Sequence, residues 1–194
     1  HDYIAPQLAW KISDQTQLNL DTEFANYRGV FDRGIPMVNG QFGNIHSFYG
    51  EPSDGDIKIK DQMLQLRLNH QFNDNWDSTT ALSYEHGERE GTSTEISSIS
   101  SNGLTANRFR RYRHFETDTT QFQQILRGKF STGSIRHEVV ANVEAGHYTI
   151  DQLQLRSASG ASSTINIANP VYGQTILPLT RTTKFSQETQ DMLG

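Results

Sequence analysis

A dense run of basic and aromatic side chains lies just past the middle of the 194-residue chain. Its members are Arg108, Phe109, Arg110, Arg111, Tyr112 and Arg113. Guanidinium groups suit carboxylate and catecholate oxygens, which they can bind through two parallel hydrogen bonds. The run is therefore a candidate site for an anionic ligand, with Arg108, Arg111 and Arg113 as the predicted contacts. By strict alternation Arg111 and Arg113 share a strand face with Arg127 and Lys129.

A second candidate surface is the segment 29–60, which is rich in Gly, Pro and Asn and carries several aromatic rings. Long connections of this kind are often functional. Phe48 and Tyr49 are the predicted ligand contacts, as a stacking surface for aromatic rings or an apolar ligand backbone. Phe31, Phe42 and His46 lie in the same segment. The alternative, which we favour for most of these five rings, is that they pack the segment against its neighbours.

Enzyme chemistry has no candidate residues in this sequence. The chain has no cysteine, which excludes disulfides, thiolate metal ligands and cysteine nucleophiles. Its seven histidines are scattered without the paired spacing of a metal site. No Ser-His-Asp arrangement is legible. We therefore predict no catalytic residues, no metal site and no cofactor.

The elements that would position these residues are β-strands, and residues 63–86 show the pattern best. Leu64, Leu66 and Leu68 alternate with polar residues, and strict alternation indicates a strand with two different faces. A polar turn at 73–75 follows, and a second alternating arm runs from 76 to 86. Phe72 and Trp76 flank the turn, as expected for an aromatic ring at the level of lipid headgroups.

The same pattern recurs along the chain and predicts an all-β fold, an antiparallel meander of about seven long strands. The predicted strands cover residues 3–12, 16–28, 63–72, 76–86, 111–130 and 135–155, and a seventh begins near 182. Short turns (13–15, 73–75 and 132–134) alternate with long loops (29–60, 89–107 and 156–181).

This alternation is typical of an outer-membrane β-barrel, with short turns toward the periplasm and long loops toward the outside. Aromatic residues beside each short turn, and arms of at least the 9–11 residues that cross a bilayer, favour it over a soluble β-sandwich. The mean hydropathy of −0.65 is ordinary for such a barrel, because only every second residue faces lipid. The polar faces of the strands, with Arg67, Asp77 and Glu85, should line the lumen, where these side chains should be unpaired or exposed to solvent.

An ordered set of short motifs resembles the TonB-dependent siderophore receptors. The motifs are YIAPQLAW (3–10), FDRGIP (31–36), FYGEP (48–52), FNDNW (72–76), Thr132-Gly133 followed by His137, and IANPVYG (167–173). Each motif is weak alone, but their order and spacing match the early barrel strands and outer loops of that family.

The resemblance implies a transmembrane 22-stranded barrel in the bacterial outer membrane that binds a ferric siderophore and imports it with the help of TonB. TonB acts on a plug domain inside the barrel. Residues 1–194 are expected to be part of the N-terminal half of the barrel, with the plug and the remaining strands absent. Outer-membrane lipid and lipopolysaccharide are the other expected partners.

Several alternatives remain open at this point. The arginine run could form structural ion pairs with Glu85, Glu88 and Glu90, which we favour over ligand contact, or could bind lipopolysaccharide phosphates. Nucleic acid is disfavoured as a partner because the net charge is −5. For the whole protein, the alternatives are a diffusion porin, an outer-membrane enzyme and a soluble β-rich binding module.

Overall fold

The computed structural model describes residues 1–194 and consists almost entirely of β-strands. The strands are β1 (Asp2–Ile4), β2 (Gln7–Lys11), β3 (Thr16–Val30), β4 (Met37–Val38), β5 (Gln41–Phe42), β6 (Asp56–Asn73), β7 (Trp76–Ile99), β8 (Thr105–Thr132), β9 (Ile135–Ser157), β10 (Ser163–Asn166) and β11 (Leu179–Leu193). A single 3₁₀ turn spans Pro52–Asp54. No helix is long and apolar enough to cross a membrane.

The long strands form one antiparallel sheet in the order β1-β3-β6-β7-β8-β9-β11, with β2 paired to β3 and β10 paired to β8. β1 and β2 are two parts of one strand, because Ile4 lies opposite Phe24 and Gln7 opposite Asp21 without a change of register. The break falls at Pro6, which has no N–H to donate to the ladder. The predicted meander of about seven long strands is confirmed.

One face of the sheet is apolar at the same height in all seven strands. A single row of directly opposed residues crosses the sheet: Leu8, Leu20, Leu66, Leu82, Phe122, Ala145 and Leu193. The next row on the opposite face contains Asp21, Gln65, Ser83 and Gln121. Only 18 of 194 residues are buried, so the sheet is a single layer whose apolar face needs a lipid environment.

The outer parts of β7 and β8 extend well beyond the apolar band. On β7 the outward face changes from Leu82 and Tyr84 to His86, Glu88 and Glu90 within a few residues. A barrel strand crosses the bilayer with about 9–11 residues, whereas β8 has 28 residues. The segments 86–99 and 105–118 therefore stand outside the membrane, and the ligand candidates Arg108, Arg111 and Arg113 lie on them.

The prediction of a long loop at 89–107 is wrong. The chain there continues the β7–β8 hairpin, and only residues 100–104 form the turn, in which Gly103 has a positive φ of 70°. Serine and threonine in this stretch hid the strand pattern, and a register shift between Ile96 and Ser98 breaks the alternation. The two remaining long connections are outer loop 1 (residues 31–55) and outer loop 2 (residues 158–178).

The polar face carries exposed side chains, as predicted, but two of the three named ones also have partners. Arg67 lies 3.0 Å from the Asp21 carboxylate. Asp77 lies 3.0 Å from Arg127 on the neighbouring strand. Glu85 is exposed and forms no ion pair. Cross-strand pairing thus neutralises part of the inward face.

A charge placed on the apolar row should be far more costly than one on the adjacent polar row. We expect Leu66→Arg to lower the free energy of unfolding from lipid vesicles, and so the stability, by about 2–4 kcal/mol, because the guanidinium would face hydrocarbon. Gln65→Arg, one residue away on the opposite face, is the matched control and should be nearly neutral. Denaturant titration in vesicles measures both, and equal effects would contradict the assignment of the two faces.

Candidate functional site

Strand alternation divides the arginine run between the two faces of β8. Arg108 and Arg110 share the face of Phe122 and Leu126, which points outward. Arg111 and Arg113 share the face of Gln121 and point inward. The predicted inward orientation of this second pair is confirmed, and the two pairs have different partners.

Arg108 is buried between the two outer loops, with only 1% of its surface exposed. Its guanidinium donates hydrogen bonds to the carbonyl oxygens of Tyr49 and Gly50 at 3.3 and 2.5 Å, and lies 3.5 Å from the Glu51 carboxylate. That carboxylate accepts a hydrogen bond from the Gly173 backbone N–H of outer loop 2 at 3.1 Å. The Arg108–Glu51 pair therefore fastens both loops to the sheet.

A second ion pair and a small apolar cluster complete this fastening. Arg110 donates to Asp54 at 2.6 Å. Tyr49 is 2% exposed, donates its hydroxyl to the Ile167 carbonyl at 3.0 Å and packs against Ala106 and Ile165. For Tyr49 the structure therefore shows the alternative, in which the ring packs outer loop 1 against its neighbours.

The predicted ligand contacts Phe48, Tyr49 and Arg108 therefore differ in how much of their surface is exposed. The Phe48 ring is half-buried and lies 6.3 Å from the Tyr172 ring. Tyr49 and Arg108 present almost no surface, so contact with a ligand would require the loops to move apart. Their ligand contact stays a prediction, and the bonds described here are structural.

The inward pair belongs to a separate basic and aromatic group. Arg113 donates to the Glu95 carboxylate at 2.6 Å, and Arg111 lies 3.9 Å from it. Arg33 of outer loop 1 is 3.6 Å from the same carboxylate. Phe31 lies between Arg33 and Arg113, at 5.0 and 5.5 Å from their guanidinium carbons, within the range of cation–π attraction.

Structural ion pairing of the arginine run is thus confirmed, but the predicted partners are wrong. Glu88 pairs with Lys60 at 2.7 Å, and Glu90 lies 3.8 Å from Lys58. The arginines instead use Glu51, Asp54 and Glu95. These partners come from an outer loop and from the part of β7 that was predicted to be a loop, so strand pairing could not suggest them.

The Glu95 carboxyl is ionised in this setting. Partial burial raises its pKa, but hydrogen bonds from Ser93 and Arg113 and the charges of Arg113 and Arg111 outweigh burial and hold the pKa below its ordinary value. Glu95 therefore neutralises one of the guanidinium groups around it, and the group as a whole stays positive.

Sequence analysis also overlooked Arg156 and Arg181 on the inward face. Arg156 lies opposite Arg111, and Arg181 lies opposite Arg156. The first pairing could have been found by counting outward from the Gly133–Ser134 turn, because Arg111 and Arg156 are equally far from it. The second could not, since β11 follows a long loop and has two register shifts.

One group of side chains has the composition of a cation site, on the outward face just above the apolar band. Single ligand atoms of His86, Glu116 and Asp118 lie within 4.8 Å of one another. His86 and Asp118 are directly opposed across β7 and β8, so their spacing along the chain gave no signal. Exposed acidic groups of this kind are common without a bound ion. His86 and Asp118 already bond to each other, and the Tyr84 hydroxyl donates to Asp118.

The comparison with known families settles the class of protein. The model of the β-barrel of TonB-dependent receptor-like proteins matches residues 8–192. The chain belongs to the TonB-dependent receptor family. It is therefore part of an outer-membrane β-barrel of a transporter family, which excludes the enzyme, the porin and the soluble module.

Curated relatives agree with this assignment. The chain is 36% identical over 192 residues to the metal-pseudopaline receptor CntO of Pseudomonas aeruginosa, and covers 27% of that protein. It is 24% identical over 182 residues to the ferrioxamine B receptor of Salmonella typhimurium, and covers 25% of it. The matches include 97% and 88% of this chain. The chain thus spans about a quarter of the length of these two relatives.

Solved structures share the fold at low sequence identity. The ferric preacinetobactin receptor BauA of Acinetobacter baumannii superposes with a TM-score of 0.75 at 21% identity, over 96% of this chain and 29% of that one. The ferric-catecholate import receptor Fiu of Escherichia coli K12 gives a TM-score of 0.79 at 20% identity, over 98% of this chain and 30% of its own. These likenesses show that the chain shares its fold with about 30% of each of those chains.

Proposed function

We propose that this chain is part of the wall and outer loops of a receptor that binds a ferric siderophore, or a similar metal–chelator complex, and imports it. The single observation that carries the proposal is the inward-facing group of Phe31, Arg33, Arg111 and Arg113 beyond the membrane. Guanidinium and aromatic groups together suit the oxygen-rich and aromatic surface of such complexes. The names of the relatives, which are receptors for metal–pseudopaline and ferrioxamine B, support the same substrate class.

The ligand contacts in this proposal are Phe48 and Arg111. Arg113 is buried and donates to Ser93 and Glu95, so it supports the site indirectly, as Tyr49 and Arg108 do. Arg111 is half-buried and borders the lumen, so its guanidinium can reach a bound molecule. Phe48 remains within reach at the surface of outer loop 1. Arg108 and Tyr49 fix the backbone that carries Phe48, which makes them positioning residues.

The remaining parts of the transport machinery are proposed on family resemblance. Residues 1–194 would form part of the N-terminal half of a 22-stranded barrel. The barrel would surround a plug domain that is another part of the same polypeptide. TonB would act on that plug, so this segment would not touch TonB. The outward face above the apolar band, with Lys58 and Lys60 among carboxylates, is where lipopolysaccharide headgroups would lie.

Uptake of iron by cells tests the proposal. A strain that makes the full-length receptor should accumulate labelled iron from one or more ferric siderophores, and strains lacking the receptor or TonB should not. Arg111→Gln should reduce uptake about tenfold or more, because it removes a charged hydrogen bond to the bound complex. Arg89→Gln, which replaces an inward-facing arginine of β7, is the control. The proposal would be refuted if none of the metal chelates tested required the receptor for uptake.

A further inference from the structure

Three arginines lie side by side across three strands of the inward face. Arg111 of β8 is directly opposite Arg156 of β9, and Arg156 is directly opposite Arg181 of β11. All three stand in the outer part of the sheet, beyond the apolar band. We refer to them as the arginine row.

An arrangement of this kind costs stability. Like charges at directly opposed positions of neighbouring strands repel each other. The nearest carboxylate, Glu95, is 3.9 Å from Arg111 but is held more closely by Arg113 at 2.6 Å. Arg156 and Arg181 form no ion pair at all in the structure. The row therefore carries positive charge that the protein does not neutralise.

An aromatic ring keeps two members of the row in place. The guanidinium carbon of Arg156 lies 4.1 Å from the centre of the Phe109 ring, and that of Arg111 lies 5.1 Å from it. Cation–π attraction to the ring offsets part of the repulsion and fixes the orientation of both groups. Burial lowers the pKa of Arg111, Glu95 opposes this, and the nearby charges of Arg113, Arg156 and Arg33 lower the pKa further.

Beside the row is an open cavity of about 380 Å³. Phe109, Arg156 and Arg181 line it together with small polar residues such as Ser159 and Ser162. Hydroxyl and amide groups can donate hydrogen bonds to an oxyanion whose charge is met by guanidinium groups. The cavity's lining residues Phe109, Arg156 and Arg181 belong to the inward face of the sheet.

We propose that the arginine row is an anion subsite that binds a carboxylate, or a similar oxyanion, of the transported chelate. This rests on the proposed function and narrows it to chelates that carry negative charge. Binding would relieve the repulsion within the row, so the receptor should prefer an anionic chelate over an uncharged one of similar size. The preference should weaken as salt concentration rises.

Thermal unfolding of the purified full-length receptor tests the subsite with citrate as the probe. Citrate should raise the unfolding temperature of the wild type more than chloride does at equal ionic strength. Arg181→Gln should lower the apparent affinity for citrate about tenfold or more, because it removes a charged hydrogen bond. It should also raise the unfolding temperature without ligand, since Arg181 has no ion pair to lose. Arg156→Gln should likewise weaken citrate binding, and Arg89→Gln is the control.

Each result bears on the subsite directly. Equal stabilisation of wild type and Arg181→Gln by citrate, or no stabilisation beyond that of chloride, would overturn it. A fall in affinity with Arg89→Gln as large as that with Arg181→Gln would also overturn it, because the effect would then reflect the general charge of the lumen. Iron uptake measured in parallel separates the two proposals: receptor-dependent uptake of an anionic chelate that Arg181→Gln leaves unchanged would keep the proposed function and overturn this subsite.

Discussion

Replacement of Arg108 by alanine should release both outer loops from the sheet. The change leaves the Glu51 carboxylate, which is 4% exposed, without its cationic partner. Removing one partner of a buried ion pair typically costs about 3–5 kcal/mol. We expect this cost to appear as local opening of outer loops 1 and 2, while the membrane-crossing part of the barrel stays folded. Limited proteolysis of the full-length receptor in detergent measures the opening.

A double variant separates the ion pair from general damage. Arg108→Met with Glu51→Gln removes both charges at similar volume, so it should restore much of the protease resistance that Arg108→Ala loses. Lys60→Ala, which breaks the more exposed ion pair with Glu88, is the matched control and should leave the loops closed. Unchanged cleavage of the loops in Arg108→Ala would show that the loops are held by other contacts.

Replacement of Glu95 by alanine should open the outer end of the β7–β8 hairpin. Arg33, Arg111 and Arg113 would then repel one another without the carboxylate that they share. We expect a loss of about 3 kcal/mol in local stability, at the lower end of the range for buried pairs because the group borders the lumen. Hydrogen exchange of backbone amides in residues 89–99 and 105–115 measures it. Glu85→Ala, ten residues along the same face and free of ion pairs, should not change exchange there.

The same carboxylate makes this hairpin sensitive to acid. Because folding lowers the pKa of Glu95, its contribution is fully present above the ordinary pKa of glutamate. The contribution is lost as the pH falls through the lower pKa of the folded state. As the pH is lowered, protection from exchange in residues 89–99 should therefore decrease more in the wild type than in Glu95→Ala, in which that contribution is already absent. Parallel profiles would mean that Glu95 is not the titrating group.

Sequence reasoning succeeded where one local rule decides the structure. The alternation around Leu66 fixed the lipid face, and the same parity placed Arg111 and Arg113 on the inward face. It failed for residues 89–107, where serine and threonine are compatible with strand and loop alike and a register shift disturbs the alternation.

The outer loops could not be predicted in the same way, since their contacts join residues far apart in the chain. Nothing near Arg108 indicates that Glu51 of one loop and Gly173 of another will meet beside it. The sequence around Tyr49 is likewise compatible with a ligand contact and with a core residue, and only its hydrogen bond to Ile167 distinguishes the two. Local patterns therefore define the barrel wall, and packing between loops defines what lies above it.

The register of the arginine row has a consequence for how such receptors diversify. Arg111 and Arg156 face each other because they are equally distant from the Gly133–Ser134 turn, and a strand that gains or loses one residue turns its side chains to the opposite face. A single-residue deletion in β9 would thus move Arg156 outward, whereas outer loop 2 can change length without touching the Arg111–Arg156 pair. Descendants of this gene should accumulate insertions in outer loop 2 and conserve the residue count from 111 to 156.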